Sequence, residues 1–183
     1  FVNDFSFSPF DDSVLATCSK DCLIKIWTIP DGDSAGGISN PEITLSNQQK
    51  SVETVLFNPA AENVLASGAG NEVKIWDISS GKDKTSFNEH ADVVQSITWK
   101  EDGSLLATGC KDKKIRIIDP RASVLAQEGA AFGGGKETRV QWVGNEDQIL
   151  ATGVSTSRKQ ELGIWDTRNL SSSLKQISVG SSS

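Results

Sequence analysis

Few residues in this sequence could do chemistry, and their spacing limits what that chemistry could be. The chain has one histidine, His90, and three cysteines, Cys18, Cys22 and Cys110, and it contains no tyrosine. A metal site needs three or four converging ligands, more than His90 with Cys110 can supply. Cys18 and Cys22 lie four positions apart, with no second ligand pair at a zinc-like spacing. His90 reads as a satisfied structural histidine and Cys18 as a packed side chain. The carboxylate pairs Asp11-Asp12 and Glu101-Asp102 sit in turn-rich segments, where Asp suits the backbone. No burial is available there to raise a carboxyl pKa for acid–base work. Gly68-Ala69-Gly70 and Gly133-Gly134-Gly135 lack the strand–loop–helix setting of a phosphate-binding loop. No catalytic residue, cofactor or metal is therefore expected.

What remains is placed charge. Lys20, Lys111, Lys113, Lys114, Arg158 and Lys159 fall in short segments between apolar runs. Exposed cations of this kind can attract and orient an acidic protein surface. The plain alternative is that each is a solvated turn lysine that aids solubility. Three lysines within the four residues 111–114 make the docking reading stronger there than at Lys20.

Composition narrows the setting. The chain has 183 residues, 37% of them hydrophobic, with 18 basic and 24 acidic side chains and a formal charge of −6. Such a chain can bury a core but lacks the basic field of a nucleic-acid binder. No apolar run approaches the 18 or more residues of a membrane span, and no charged-then-apolar leader opens the chain. An odd cysteine count suits a reducing compartment better than a disulfide framework.

The elements that position the charges come from an internal repeat. Val14-Leu-Ala-Thr17, Val64-Leu-Ala-Ser67, Leu105-Leu-Ala-Thr108 and Ile149-Leu-Ala-Thr152 share a pattern, with Ala16, Ala66, Ala107 and Ala151 spaced by 50, 41 and 44 residues. Each is preceded by a run such as Val52-Glu-Thr-Val-Leu-Phe57 and followed by one such as Val73-Lys-Ile-Trp-Asp77. The runs are short, β-branched and bounded by Pro, Asp, Asn and Gly, which predicts strands without useful helix. Units are expected at about 1–46, 47–88, 89–129 and 136–180. The Gly-rich stretches Asp31–Asn40 and Gly129–Gly135 read as mobile links, and Ser181–Ser183 as a loose tail.

This pattern resembles the WD40 β-propeller repeat, with four strands per blade and a Trp-Asp signature at Trp76-Asp77 and Trp165-Asp166. The fold expected is all-β: about four blades of a seven-bladed ring, as an open arc or part of one. That resemblance implies a buried scaffold network in each blade, joining a loop His, a Ser or Thr, a loop Asp and the Trp. Its members here would be Thr17, Asp21 and Trp27; Ser67, Asn71 and Trp76; His90, Thr108 and Asp112; and Thr152 and Trp165. No unit has the full set, so the networks are expected to be wet and loosened.

Two further stretches are similar to the coronins. Lys111-Asp-Lys-Lys-Ile-Arg-Ile-Ile-Asp-Pro-Arg121 resembles their KDKK-R-x-x-DPR segment. Thr152-Gly-Val-Ser-Thr-Ser-Arg-Lys-Gln-Glu-Leu162 with Trp165-Asp-Thr-Arg168 resembles their TGFS…W segment, with Val154 in place of the usual Phe. The opening Asp4-Phe-Ser-Phe-Ser-Pro-Phe-Asp-Asp12 is most like the long coronins, which carry two propellers in tandem. The resemblance implies a non-catalytic cytoplasmic scaffold on the actin cytoskeleton. Its partners would be filamentous actin, the actin-nucleating Arp complex and cofilin, with trafficking membranes as a further peripheral location. A second resemblance competes with this: Trp165-Asp-Thr-Arg168 is similar to the WDxR box of propeller receptors in cullin ubiquitin ligases, which would make Arg121 and Arg168 docking residues. The same arginines could equally pair with a neighbouring carboxylate. The missing Met and the opening Phe1-Val2 read as the interior of a longer protein. Self-association through uncovered propeller ends is a corresponding expectation.

Overall fold

A computed structural model of the chain describes residues 1–30, 39–46, 48–134 and 137–181. Four four-stranded antiparallel sheets follow one another along the chain, and no helix occurs among the described residues. The first blade is β1 (Val2–Phe7), β2 (Val14–Ser19), β3 (Ile24–Thr28) and β4 (Ile43–Leu45). The second is β5 (Val52–Phe57), β6 (Val64–Ala69), β7 (Glu72–Asp77) and β8 (Lys82–Phe87). The third is β9 (Val94–Trp99), β10 (Leu106–Cys110), β11 (Lys114–Asp119) and β12 (Val124–Ala130). The fourth is β13 (Arg139–Trp142), β14 (Gln148–Val154), β15 (Lys159–Asp166) and β16 (Lys175–Ser181). Each is a meander with its strands in chain order, as expected for short β-branched runs joined by tight turns.

Alternation along each strand gives every blade two faces, and consecutive blades stack face to face. Ala16, Cys18, Ile24, Ile26 and Leu45 of the first blade pack on Val55, Phe57, Leu65 and Trp76 of the second. Ala66, Val73, Ile75 and Phe87 then meet Ile97, Trp99, Leu106 and Ile118. Ala107, Ile115 and Ile117 meet Val140, Trp142, Ile149 and Trp165. Each fully buried Leu, Ile or Phe contributes about 1.5–3 kcal/mol, so these interfaces, not single sheets, hold the fold. Contacts of this extent run only between consecutive blades, and none joins the first to the fourth among the described residues. The assembly is an open arc. The outer face of its first blade leaves Phe5 and Phe7 61% and 50% exposed, and that of its last leaves Ile177 46% exposed.

Polar links tie the inner strands together. Asp4 Oδ2 accepts from Thr54 Oγ1 at 2.9 Å and Val55 N at 3.1 Å, and Ser96 Oγ accepts from Val140 N at 3.0 Å. The inner edge borders an open cleft of about 410 Å³, lined by residues that include Asn3, Glu53, Gln95 and Arg139.

The stretch Gly129–Gly135 differs from the mobile link expected. Gly129 and Ala130 complete β12, and Phe132 is buried between the third and fourth blades. An aromatic side chain in a Gly-rich stretch is enough to anchor it when a matching pocket exists. Gly135 lies outside the described residues, as do residues 31–38 of the other link. At the tail, the backbone of Ser181 belongs to β16.

Candidate functional site

The turns between second and third strands span 20–23, 70–71, 111–113 and 155–158, and all lie on one rim of the arc, here called the upper rim. The links between blades lie on the same rim. Lys111 N donates to Val93 O at 2.9 Å and Ala131 N to Lys113 O at 2.8 Å. Three of the turns place a non-glycine residue in the left-handed region: Cys22 (φ 67), Lys113 (φ 69) and Arg158 (φ 62). In each the N–H returns to the carbonyl three residues back, for example Lys113 N to Cys110 O at 3.1 Å and Arg158 N to Ser155 O at 3.0 Å. This conformation costs an L-residue about 1–2 kcal/mol. At corresponding places on adjacent blades the cost is borne by a lysine and an arginine.

The expected cations are not equivalent. Lys20, Lys111, Lys113, Arg158 and Lys159 are exposed on the upper rim. Lys114 is instead engaged by Glu128 across the β11–β12 pair. Lys20 stands apart, because the second-blade turn Gly70-Asn71 carries no cation of its own. Arg121 and Arg168 lie on the opposite rim, after the third strands of their blades. Arg168 grips its own Asp166 with Nε at 2.9 Å and Nη2 at 2.7 Å, and this holds the Asp166 carboxyl down at about 2. This is the pairing with a neighbouring carboxylate that the sequence offered as the alternative to docking. The Asp102 carboxyl is held down mainly by the Ser104 hydrogen bonds, with Arg121 only a minor positive charge acting on it.

Beneath the upper rim the networks differ blade by blade. In the first, Trp27 Nε1 donates to Thr17 Oγ1 at 2.8 Å, while Asp21 serves its own turn through Ser19 and Leu23 N. In the second, Ser67 Oγ accepts from Trp76 Nε1 and from Gln48 Nε2, both at 2.8 Å. Gln48 thus does there what a histidine would. In the third, His90 Nε2 meets Thr108 Oγ1 at 2.9 Å, and Ile118 occupies the Trp position. The space is used by Arg116, which is 1% exposed and reaches Asp112 Oδ2 with Nη2 at 2.7 Å and Glu128 Oε2 with Nε at 2.8 Å. Burial alone would raise the Asp112 carboxyl, but Arg116 and the Ala91 N–H outweigh it and hold it at about 2.

The fourth blade corrects the sequence reading. Trp165 pairs with Ile149 across the β14–β15 ladder, whereas Trp76 pairs with Leu65. The Ile-Leu-Ala-Thr motif is therefore displaced by one residue, and the Ser67 position is filled by Ala151. A one-residue shift reverses the faces, so Thr152 is exposed and takes no part in the network. Trp165 Nε1 is buried without a partner. The indole lies over Gly163, where a Cβ would come within 2.6 Å of the ring. Phe132 meets it edge-on with centroids 5.4 Å apart. The site is an apolar cluster packed around the indole, not the half-network expected. Spacing could have shown it: Gln48 precedes Ser67 by 19 residues, His90 precedes Thr108 by 18, and Phe132 precedes Ala151 by 19.

Burial, and next the positive charge of Arg116, push the His90 imidazole down to about 4, against the weaker opposing pull of Asp112 and Glu128. An unfolded histidine takes its proton near 6.5. Between those values the unfolded chain binds the extra proton, so stability rises with pH across the window and is lost on acidification. The expected loss is roughly 2 kcal/mol from pH 7 to pH 5. His90→Gln, which copies Gln48, should flatten this slope in thermal melts at the two pH values. An unchanged slope would show that another group carries it.

Comparison with known proteins agrees with this architecture. The family model "WD domain, G-beta repeat" matches residues 1–28, 39–77 and 81–119. The displaced fourth blade falls outside that match. Coronin-7 of Bos taurus is 40% identical over 182 residues, covering 99% of this chain and 20% of that protein. Coronin-2A of Homo sapiens is 36% identical, covering 100% of this chain and 36% of that protein. The chain thus spans only about a fifth to a third of these relatives' length. The crystal structure of the WD40 domain from Toxoplasma gondii coronin superposes with a TM-score of 0.95 at 29% identity, over 100% of this chain and 48% of that one.

Proposed function

The chain belongs to the WD40 repeat family, with its likeness to the coronins running along its whole length, and on that premise we propose that it is a non-catalytic module binding actin filaments through the upper rim. The observation that carries the reading is the set of exposed cations in neighbouring upper-rim turns, Lys111 and Lys113 on the third blade and Arg158 and Lys159 on the fourth. They stand out from a chain whose formal charge is −6. An acidic filament would be steered to such a rim and oriented by it. Actin-regulating proteins are the further partners, and the cytoplasmic cytoskeleton is the location. Trafficking membranes, met peripherally, follow from the same likeness. The ubiquitin-ligase docking reading is the less favoured, with Arg168 paired to its own Asp166.

Co-sedimentation with filaments tests the proposal. Lys111→Glu with Lys113→Glu should lower the pelleted fraction at least tenfold at low salt, and rising salt should weaken the unaltered chain in the same direction. Lys114 should be left in place, because reversing it would disturb Glu128 and Arg116 and confound binding with folding. Failure of the unaltered chain to pellet at low salt, or indifference to the double reversal, sinks the reading.

A further inference from the structure

The gap in the cation row at the second blade is filled from elsewhere in the chain. We infer that Lys50, carried by the link between the first and second blades, is the second-blade member of the row and a direct contact for an acidic protein surface. The inference rests on the upper-rim reading above. Lys50 is exposed, and its Nζ donates to Asn71 Oδ1 in the second-blade turn. Its stem lies across Gly70, where a Cβ would collide with Lys50 Cδ. Gly70 also has φ +57, which glycine adopts without the strain carried by Cys22, Lys113 and Arg158 in the other turns. Asn71 is itself held, because its Nδ2 donates to His90 O at 3.3 Å.

The chemistry of that seat separates it from the other blades. In the first blade the turn carboxylate Asp21 lies 3.9 Å from the strand cation Lys25, and in the third Asp112 binds Arg116 at 2.7 Å. Those pairs cancel charge within the blade. Asn71 stands at the corresponding place in the second blade and is neutral. It fixes the Lys50 ammonium without cancelling it, leaving a positioned cation open to an external carboxylate. A seated side chain also loses less rotamer freedom on binding than a free lysine. Lys50 lies between Lys20 on the first blade and Lys113 on the third, which makes the row continuous along the rim.

Two variants test this in the whole chain. Lys50→Gln removes the charge. Asn71→Asp keeps the lysine seated but neutralises it. Each should weaken co-sedimentation with actin filaments by about two- to fivefold at low salt, with the difference vanishing at high salt. Each should also weaken retention on dextran sulfate beads, which read the cation row without any actin. Weaker retention on the beads by both variants, alongside an unaltered chain that never pellets with filaments, keeps Lys50 in the row and overturns only the actin reading. Pelleting and bead retention that respond to Lys113→Gln but ignore Lys50→Gln overturn the assignment of Lys50. Loss with Lys50→Gln but not with Asn71→Asp also overturns it as stated, since the neutral seat is then irrelevant. Lys50→Gln should leave the circular dichroism melt within a few degrees of the unaltered chain, because Lys50 is exposed, whereas Asn71→Asp also loses the Nδ2 bond to His90 O, so a larger shift there passes the test to Lys50→Gln alone.

Discussion

Phe132→Ala is expected to destabilise the chain by about 3–5 kcal/mol, the usual cost of deleting a buried aromatic ring. Phe132 is 2% exposed and fills the place that Gln48 and His90 hold in the second and third blades. Those two positions carry hydrogen bonds. The fourth has none, since Ala151 offers no hydroxyl and Trp165 Nε1 is unpartnered. Packing must therefore supply all the local stabilisation, and removing the ring leaves a cavity against Trp165 with nothing polar to recover. Urea unfolding followed by tryptophan fluorescence measures the loss. Gln48→Ala makes the comparison, because it removes a hydrogen-bonding group and not a ring. A Phe132→Ala loss no greater than that of Gln48→Ala would contradict the account of the fourth blade.

Asp112→Ala is the second large effect, with an expected loss of about 3–5 kcal/mol from stranding a buried guanidinium. Arg116 is 1% exposed, and Glu128 faces it from one side only, so it cannot satisfy the Nη1 and Nη2 donors that Asp112 now takes. Asp112 also accepts the Ala91 N–H at 3.1 Å, so the interblade link loses a bond as well. Asp21→Ala changes the same position of the repeat in the first blade. There the Lys25–Asp21 separation is 3.9 Å with side chains 34% and 47% exposed, so the loss should stay below about 1 kcal/mol. Midpoints of urea unfolding give both values. Similar losses at the two sites would mean that burial does not decide the worth of the pair.

Much of the fold was legible because its signals are local. The Ala16, Ala66, Ala107 and Ala151 recurrence and the strand-forming runs around it depend on nothing beyond neighbours in sequence, and the strands lie where those runs do. The upper-rim turns were legible for the same reason, since a tight turn is written in the residues between two strands. The fourth-blade network was not. Thr152 matches the motif letter for letter, yet the pairing of Trp165 with Ile149 is decided by the length of the 155–158 turn and by β15, which no motif comparison weighs. Phe132 was legible only through its spacing of 19 residues from Ala151, because its Gly-rich surroundings signal freedom until a pocket from another blade removes it.

The sequence by itself determined that the chain is all-β, repeated and poor in catalytic groups, because residue type, alternation and count suffice for those properties. Only the tertiary structure decided which charges remain available. Lys114, Arg168 and Lys50 are all cations in a linear reading. In the arc, Lys114 is taken by Glu128 and Arg168 by Asp166, while Lys50 is seated on a neutral amide and keeps its charge. The difference lies in what stands opposite each side chain in space, and a carboxylate cancels charge where an amide merely positions it.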